Sequence, residues 1–114
     1  MTKDIQPLTE LIRDLQGNPV QIGSTFTTQD ASGTPKTSPL SYSSTEIEIV
    51  IPQRAVEMIL SPTSDLRISE VTGMARYDII QGGTKEALCV AKLDSLFIKR
   101  DAADGTLRFR FTFI

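Results

Sequence analysis

Histidine and tryptophan are absent from this chain, and cysteine occurs once, at Cys89. Without histidine, the usual general base, the commonest zinc ligand and the His-based catalytic triads are all excluded. One cysteine cannot form an internal disulfide framework, so nothing requires an oxidising compartment. Cys89 stands in the apolar run Ala87-Leu88-Cys89-Val90-Ala91. No base or cation adjoins it to lower its pKa, so it reads as a buried small hydrophobe rather than a nucleophile. With no tryptophan, and only Tyr42 and Tyr77 as tyrosines, a stacking platform for carbohydrate has little to be built from.

Other scarcities narrow the field further. No apolar stretch approaches the length of a membrane span, and Met1-Thr2-Lys3-Asp4 lacks the apolar run of a secretory signal. The formal net charge is −2 and the pI is near 5.0, which argues against nonspecific binding to nucleic acid. Acidic residues are scattered, and a paired-carboxylate site would need two of them to converge in a cleft. Asp101 and Asp104 flank a turn ending at Gly105 but lack the ligand spacing of an EF-hand loop. Gly82-Gly83-Thr84-Lys85 lacks the first glycine of a phosphate loop and joins two strand-like runs, so it reads as a hairpin turn. The expectation is a non-enzymatic protein with no cofactor, no metal, no nucleic acid and no membrane.

What is present divides into two parts, residues 1–44 and 45–114. In the first, Ile5, Leu8, Leu11, Ile12 and Leu15 recur at helical spacing, Pro7 suits a first turn and Gly17 suits a helix end. These predict a short amphipathic helix over 5–16, too short to stand alone. Its stripe must dock either on this chain's own sheet or on a neighbouring subunit. Residues 17–45 are rich in Gly, Pro, Ser, Thr, Asn and Gln. Val20, Ile22 and Phe26 could form a short strand there. The remainder is either a flexible linker or an extended arm that pairs along another surface.

From Thr45 the chain reads as seven short strands separated by turn signals about ten residues apart. Glu46 to Ile51 alternates up to Pro52. Val56, Met58 and Leu60 should face one way, and Leu66 with Ile68 form a third strand. Tyr77, Ile79 and Ile80 lie in a fourth, 86–91 make a fifth, 95–100 a sixth and 106–113 the last. The fold expected is mainly β: an antiparallel β-sandwich or jelly-roll-like barrel with a short N-terminal helix and an extended arm.

The final strand alternates without a break, with Leu107, Phe109, Phe111 and Phe113 on one face and Arg108 and Arg110 on the other. An apolar-to-apolar register with the preceding strand would place Ile98 against Phe109 and Leu96 against Phe111. That register predicts a four-residue loop with Gly105 at positive φ. It also sets Phe97 opposite Arg110 and Lys99 opposite Arg108. The resulting face is the best candidate binding patch, for an acidic protein surface, a glycan or a polyanion. The competing reading is a solvated face whose charges guard an aggregation-prone strand. The solvated face is the preferred reading, and Phe97 is the residue that keeps the binding patch in play.

The strand train Ala55-Val56-Glu57-Met58-Ile59-Leu60, Asp65-Leu66-Arg67-Ile68-Ser69 and Tyr77-Asp78-Ile79-Ile80 resembles that of small structural proteins of tailed bacteriophages. The closing segment, residues 92–101 followed by Asp104-Gly105-Thr106-Leu107, completes the likeness to head-decoration (cement) and related virion β proteins. The resemblance covers residues 45–114 and implies a capsid component in the virion, assembled in the host cytoplasm. Its partners would be the major capsid protein or other virion proteins, tied together through an N-terminal arm. A symmetric homo-oligomer is expected, with a trimer as the guess. The candidate interaction residues are Leu8, Leu11, Ile12, Leu15, Phe26, Phe97, Lys99, Arg108 and Arg110. The alternative is a tail- or fibre-associated module that binds a receptor or carbohydrate.

Overall fold

The computed structural model of the protein describes residues 23–113. The helix expected over 5–16, with Leu8, Leu11, Ile12 and Leu15, lies outside the described residues. Within them there is no helix, and eleven strands follow in order. They are β1 (Gly23–Thr25), β2 (Thr27–Gln29), β3 (Pro35–Thr37), β4 (Leu40–Tyr42), β5 (Ile47–Val50), β6 (Ala55–Pro62), β7 (Leu66–Ser69), β8 (Asp78–Ile80), β9 (Glu86–Cys89), β10 (Ser95–Arg100) and β11 (Gly105–Phe113). The seven strands expected after Thr45 are β5 to β11.

All pairings are antiparallel. The first sheet runs β1-β11-β6-β9, with β4 also on β11, and the second runs β5-β10-β7-β8. β2 and β3 form a separate ribbon. From β4 to β11, every connection except β7–β8 passes from one sheet to the other. Alternation explains the packing: Leu107, Phe109 and Phe111 of β11 are buried, while Arg108 and Arg110 are exposed. Ile49, Leu66, Ile68, Ile80, Leu96 and Ile98 of the second sheet join them in one core. Each such side chain contributes about 1.5–3 kcal/mol on burial. Phe109 and Phe111 add an edge-to-face contact with ring centroids 5.7 Å apart. Two antiparallel sheets sharing one apolar core are consistent with a β-sandwich.

Several expectations are corrected here. β10 and β11 do not form a hairpin. β10 lies between β5 and β7, whereas β11 lies between β6 and the pair β1 and β4. Ile98 and Phe109 are both buried, but on different sheets. Gly105 is not among the positive-φ residues. A Cβ there would instead fall 2.4 Å from Ser64 Oγ and 2.5 Å from Tyr42 Oη, so space demands the glycine. The turn at Gly82-Gly83 links β8 to β9 between sheets and is not a hairpin. A bulge at Val56 (Thr112 opposes Glu57, Phe113 opposes Ala55) breaks the expected alternation. Ala55 is therefore buried with Met58 and Leu60, while Val56 is only half-buried.

The segment expected as an arm is paired within this chain from β1 onward. β1 adds to the C-terminal half of β11 and β4 to its start, so pairing runs across residue 45. Tyr42, at the end of β4, is a core residue. The β2–β3 ribbon leans on β5 through Thr28 Oγ1, which donates to the Val50 carbonyl, and through Ala31 N, which donates to Glu48 Oε1.

Candidate interaction surface

The sheet order separates the expected basic patch. Phe97 and Lys99 alternate with buried Leu96 and Ile98, so they lie on the outer side of the second sheet. Arg108 and Arg110 lie on the outer side of the first sheet. The core stands between the two pairs, and no single partner surface meets all four. Opposite Lys99 is Arg67, not Arg108. Arg67 Nε bonds Asp101 Oδ1 at 2.9 Å, and its guanidinium lies 4.4 Å from the Tyr77 ring centroid. The carboxylate and the ring face relieve the like-charge contact with Lys99.

Phe97 faces Glu48 on one side and Ser69 on the other. The 70–76 loop is fastened beyond both. Ser69 Oγ donates to the Val71 and Arg76 carbonyls and accepts from Val71 N, while Glu46 accepts from Thr72 Oγ1 (2.8 Å) and Gly73 N (2.9 Å). Phe97, on the strand between these anchors, is half-buried. Phe26, between β1 and β2, is 56% exposed.

The apolar surface lies along β8 instead. Tyr77 is 42% exposed, Ile79 49% and Val71 37%. Ile79 opposes Arg67, placing it on the outer side, and Tyr77 lies under the same guanidinium. The sequence carries a signal for this. Adjacent Ile79 and Ile80 cannot both face one core, so one must point outward. Ile80 is the buried one.

β8 and β9 end their respective sheets, and no strand among the described residues pairs with their free sides. Between them the two sheets part in an open cleft of about 690 Å³. Its floor includes Ile68, Ile80, Leu88, Leu93 and Leu96, all part of the core or packed against it. Asp78 opposes buried Ile68, and Glu86 opposes buried Leu60, so both carboxylates occupy inward registers at the cleft mouth while remaining exposed. Inward-register charges on edge strands discourage indiscriminate strand addition.

Cys89 lines this cleft and is exposed, which corrects the buried reading. Cys89 opposes Glu57, on the side of β9 away from the inward-register Leu88, and an antiparallel sheet can leave that face to solvent. Of the two tyrosines, Tyr42 is buried and Tyr77 has one face taken by Arg67. Among the described residues, no group of three or more His, Cys, Asp or Glu is placed to hold a metal ion. Asp30, in the β2–β3 turn, is held below the ordinary carboxylate range, first by the Ser32 hydroxyl and then by Thr34 N. No family model, no curated protein and no solved structure matches this chain.

Proposed function

We propose that the protein is a non-enzymatic structural subunit of a virion, of the head-decoration or cement type, built on a jelly-roll-like β-sandwich. The observation that carries the reading is the outer edge of β8, paired by no strand among the described residues and flanked by exposed Val71, Tyr77 and Ile79. A strand edge offers main-chain hydrogen bonds that any extended partner segment can accept, and flanking apolar side chains supply affinity. Tyrosine and aliphatic anchors of this kind concentrate binding energy at small interfaces. The resemblance of residues 45–114 to phage decoration proteins supports a repetitive capsid surface as the partner. Basic Lys99 and Arg67 beside the patch favour an acidic rim on that surface. The subunit would act as a symmetric homo-oligomer, a trimer in this reading.

The test is particle association. In a density gradient of the producing culture, the chain should co-migrate with assembled capsids. Ile79→Asp should lower its occupancy on them at least tenfold while leaving the thermal midpoint unchanged, because Ile79 is not a core residue. A chain found only in the soluble pool, or an Ile79→Asp chain at full occupancy, would overturn the proposal.

A further inference from the structure

We infer that the outer face of the first sheet, centred on Arg108 and Arg110, docks an extended acidic segment of a partner protein. Both side chains are exposed, and neither has an ion pair or hydrogen bond among the described residues. Arg67 and Arg100 show the contrast, since Asp101 and Asp104 hold them at 2.9 Å and 2.7 Å. Across the sheet Arg108 meets Ser61 and Arg110 meets Ile59, so no carboxylate stands directly opposite either guanidinium. Outward charges often guard a free strand edge, but β11 is an interior strand. β6 pairs with it from Leu107 to Phe113, β4 covers its start and β1 its end. Between β4 and β1, the Phe109 amide donates to Ser38 Oγ (3.0 Å), so that gap is closed as well.

The spacing fits an extended ligand. Alternate residues of a strand lie about 7 Å apart, and an extended segment repeats its own alternate side chains at that interval. Carboxylates two positions apart therefore meet both guanidinia, each through paired N–H···O bonds. The floor beside them is low, with Ser61 and Ile59 next to β11 and Ala87 beyond Ile59. At the margin, the Phe26 carbonyl accepts from Ser38 N (2.9 Å), the residue whose Oγ accepts from Phe109 N. An exposed aromatic residue thus borders the two arginines. Other occupants fit less well. A second copy packed face to face would set arginine against arginine. A nucleic acid or sulfated glycan needs a longer cationic stripe, whereas Glu57, opposite Thr112 on the same face, ends this one. The net charge of −2 also disfavours a long polyanion. This face belongs to the first sheet and β8 to the second, so the inference does not rest on the capsid reading.

The probe is a short synthetic peptide alternating glutamate and threonine, titrated into the full chain and followed by amide NMR shifts. The amides of Ile59, Ser61, Arg108 and Arg110 should move together on a saturable curve that weakens with added salt. The Arg108→Thr, Arg110→Thr double variant should lose about tenfold in affinity or more, because one charge-assisted hydrogen bond is worth roughly that factor. Threonine keeps strand propensity at these exposed positions, and an unchanged thermal midpoint checks the fold. Lys99→Thr, on the outer side of the second sheet, should leave the affinity unchanged, and a peptide alternating lysine and threonine should not bind. The shift map on the unaltered chain decides independently of any variant. No shifts with the acidic peptide, shifts centred on Lys99 and Arg67, or equal affinity in the double variant would overturn the inference. So would tighter binding of a heparin fragment to the same amides, which would make the face a polyanion site. None of these outcomes bears on capsid association through Ile79, so the two proposals fail separately.

Discussion

Two small polar networks in this protein are built alike and placed differently. At the β2–β3 turn, Asp30 Oδ1 accepts from Ser32 N (2.9 Å), Ser32 Oγ (2.7 Å) and Thr34 N (2.9 Å). At the other, Tyr42 Oη donates to the Ser64 carbonyl (2.7 Å) and accepts from Ser64 N (3.1 Å), while Ser64 Oγ donates to the Ala103 carbonyl (3.0 Å). Beside it, Thr63 and Thr106 exchange a main-chain bond, and Thr106 N also donates to Thr63 Oγ1. The first network joins residues four positions apart at most, at the surface. The second joins β4, the β6–β7 turn and the β10–β11 link, up to 43 positions apart in sequence. Similar bonds therefore do different work. The local network shapes one turn, whereas the long-range one fastens the two sheets where the chain passes between them.

The corner at Ser64 should be the most brittle point outside the apolar core. Gly82 packs against it so closely that a Cβ would lie 2.6 Å from Ser64 Cα and 2.7 Å from its carbonyl carbon. Backbone atoms cannot rotate aside as a side chain can. Gly82→Ala should therefore cost about 3 kcal/mol, at the upper end of overpacking effects. Chemical denaturation would show a lower midpoint with an unchanged slope. A cost below about 0.5 kcal/mol would put Gly82→Ala among ordinary surface changes and end the contrast between corner and turn.

Tyr42→Phe keeps the ring in the core and removes only Oη, so it isolates the hydrogen bonds. The Ser64 main chain would lose its tyrosine partner in a part-buried setting. The expected cost is about 1–2 kcal/mol, between a net hydrogen bond and a stranded polar group. Hydrogen exchange should show where the loss falls. Amides of Thr63, Ser64 and Thr106 should lose protection, while those of β2 and β3 should not.

Much of this architecture was legible in the alternation of the sequence, and its main error came from the same source. Alternation places Leu96, Ile98, Phe109 and Phe111 on the core face, and all four are buried. Alternation states which side of a strand is covered, but not whether two strands lie side by side or face each other across the core. Ile98 and Phe109 satisfy both arrangements equally, so the pattern predicts a hairpin where the chain crosses between sheets. That error alone created the joint patch of Phe97, Lys99, Arg108 and Arg110. The pairing of residues 23–42 is hard to read from the sequence for another reason. Their strands are three residues each and hold little apolar surface, so their order comes from pairing with β11 rather than from their own pattern. Tyr42 was the available clue, a single aromatic in a polar stretch that enters the core.

The smallest effect belongs to Asp30, and its pH dependence sharpens the comparison. The Ser32 hydroxyl, then the amides of Thr34 and Ser32, and Lys36 at 3.9 Å favour the carboxylate, so its pKa in the fold lies below the ordinary 3.8. The sign follows directly. A carboxylate with a depressed folded pKa stabilises its turn above the unfolded value, and that contribution disappears as pH falls through the folded one. The amide signals of Ser32 and Thr34 should shift together on acidification, with a midpoint below 3.8. Asp30→Asn should abolish that titration and disturb only residues 27–37. The Thr63, Ser64 and Thr106 amides should stay in place throughout, because the hydrogen bonds to the Asp30 carboxylate come from Ser32 and Thr34 of the same turn. Movement of those amides with the Asp30 titration would mean that the turn and the corner are one coupled network, and their different placement would then carry no energetic meaning.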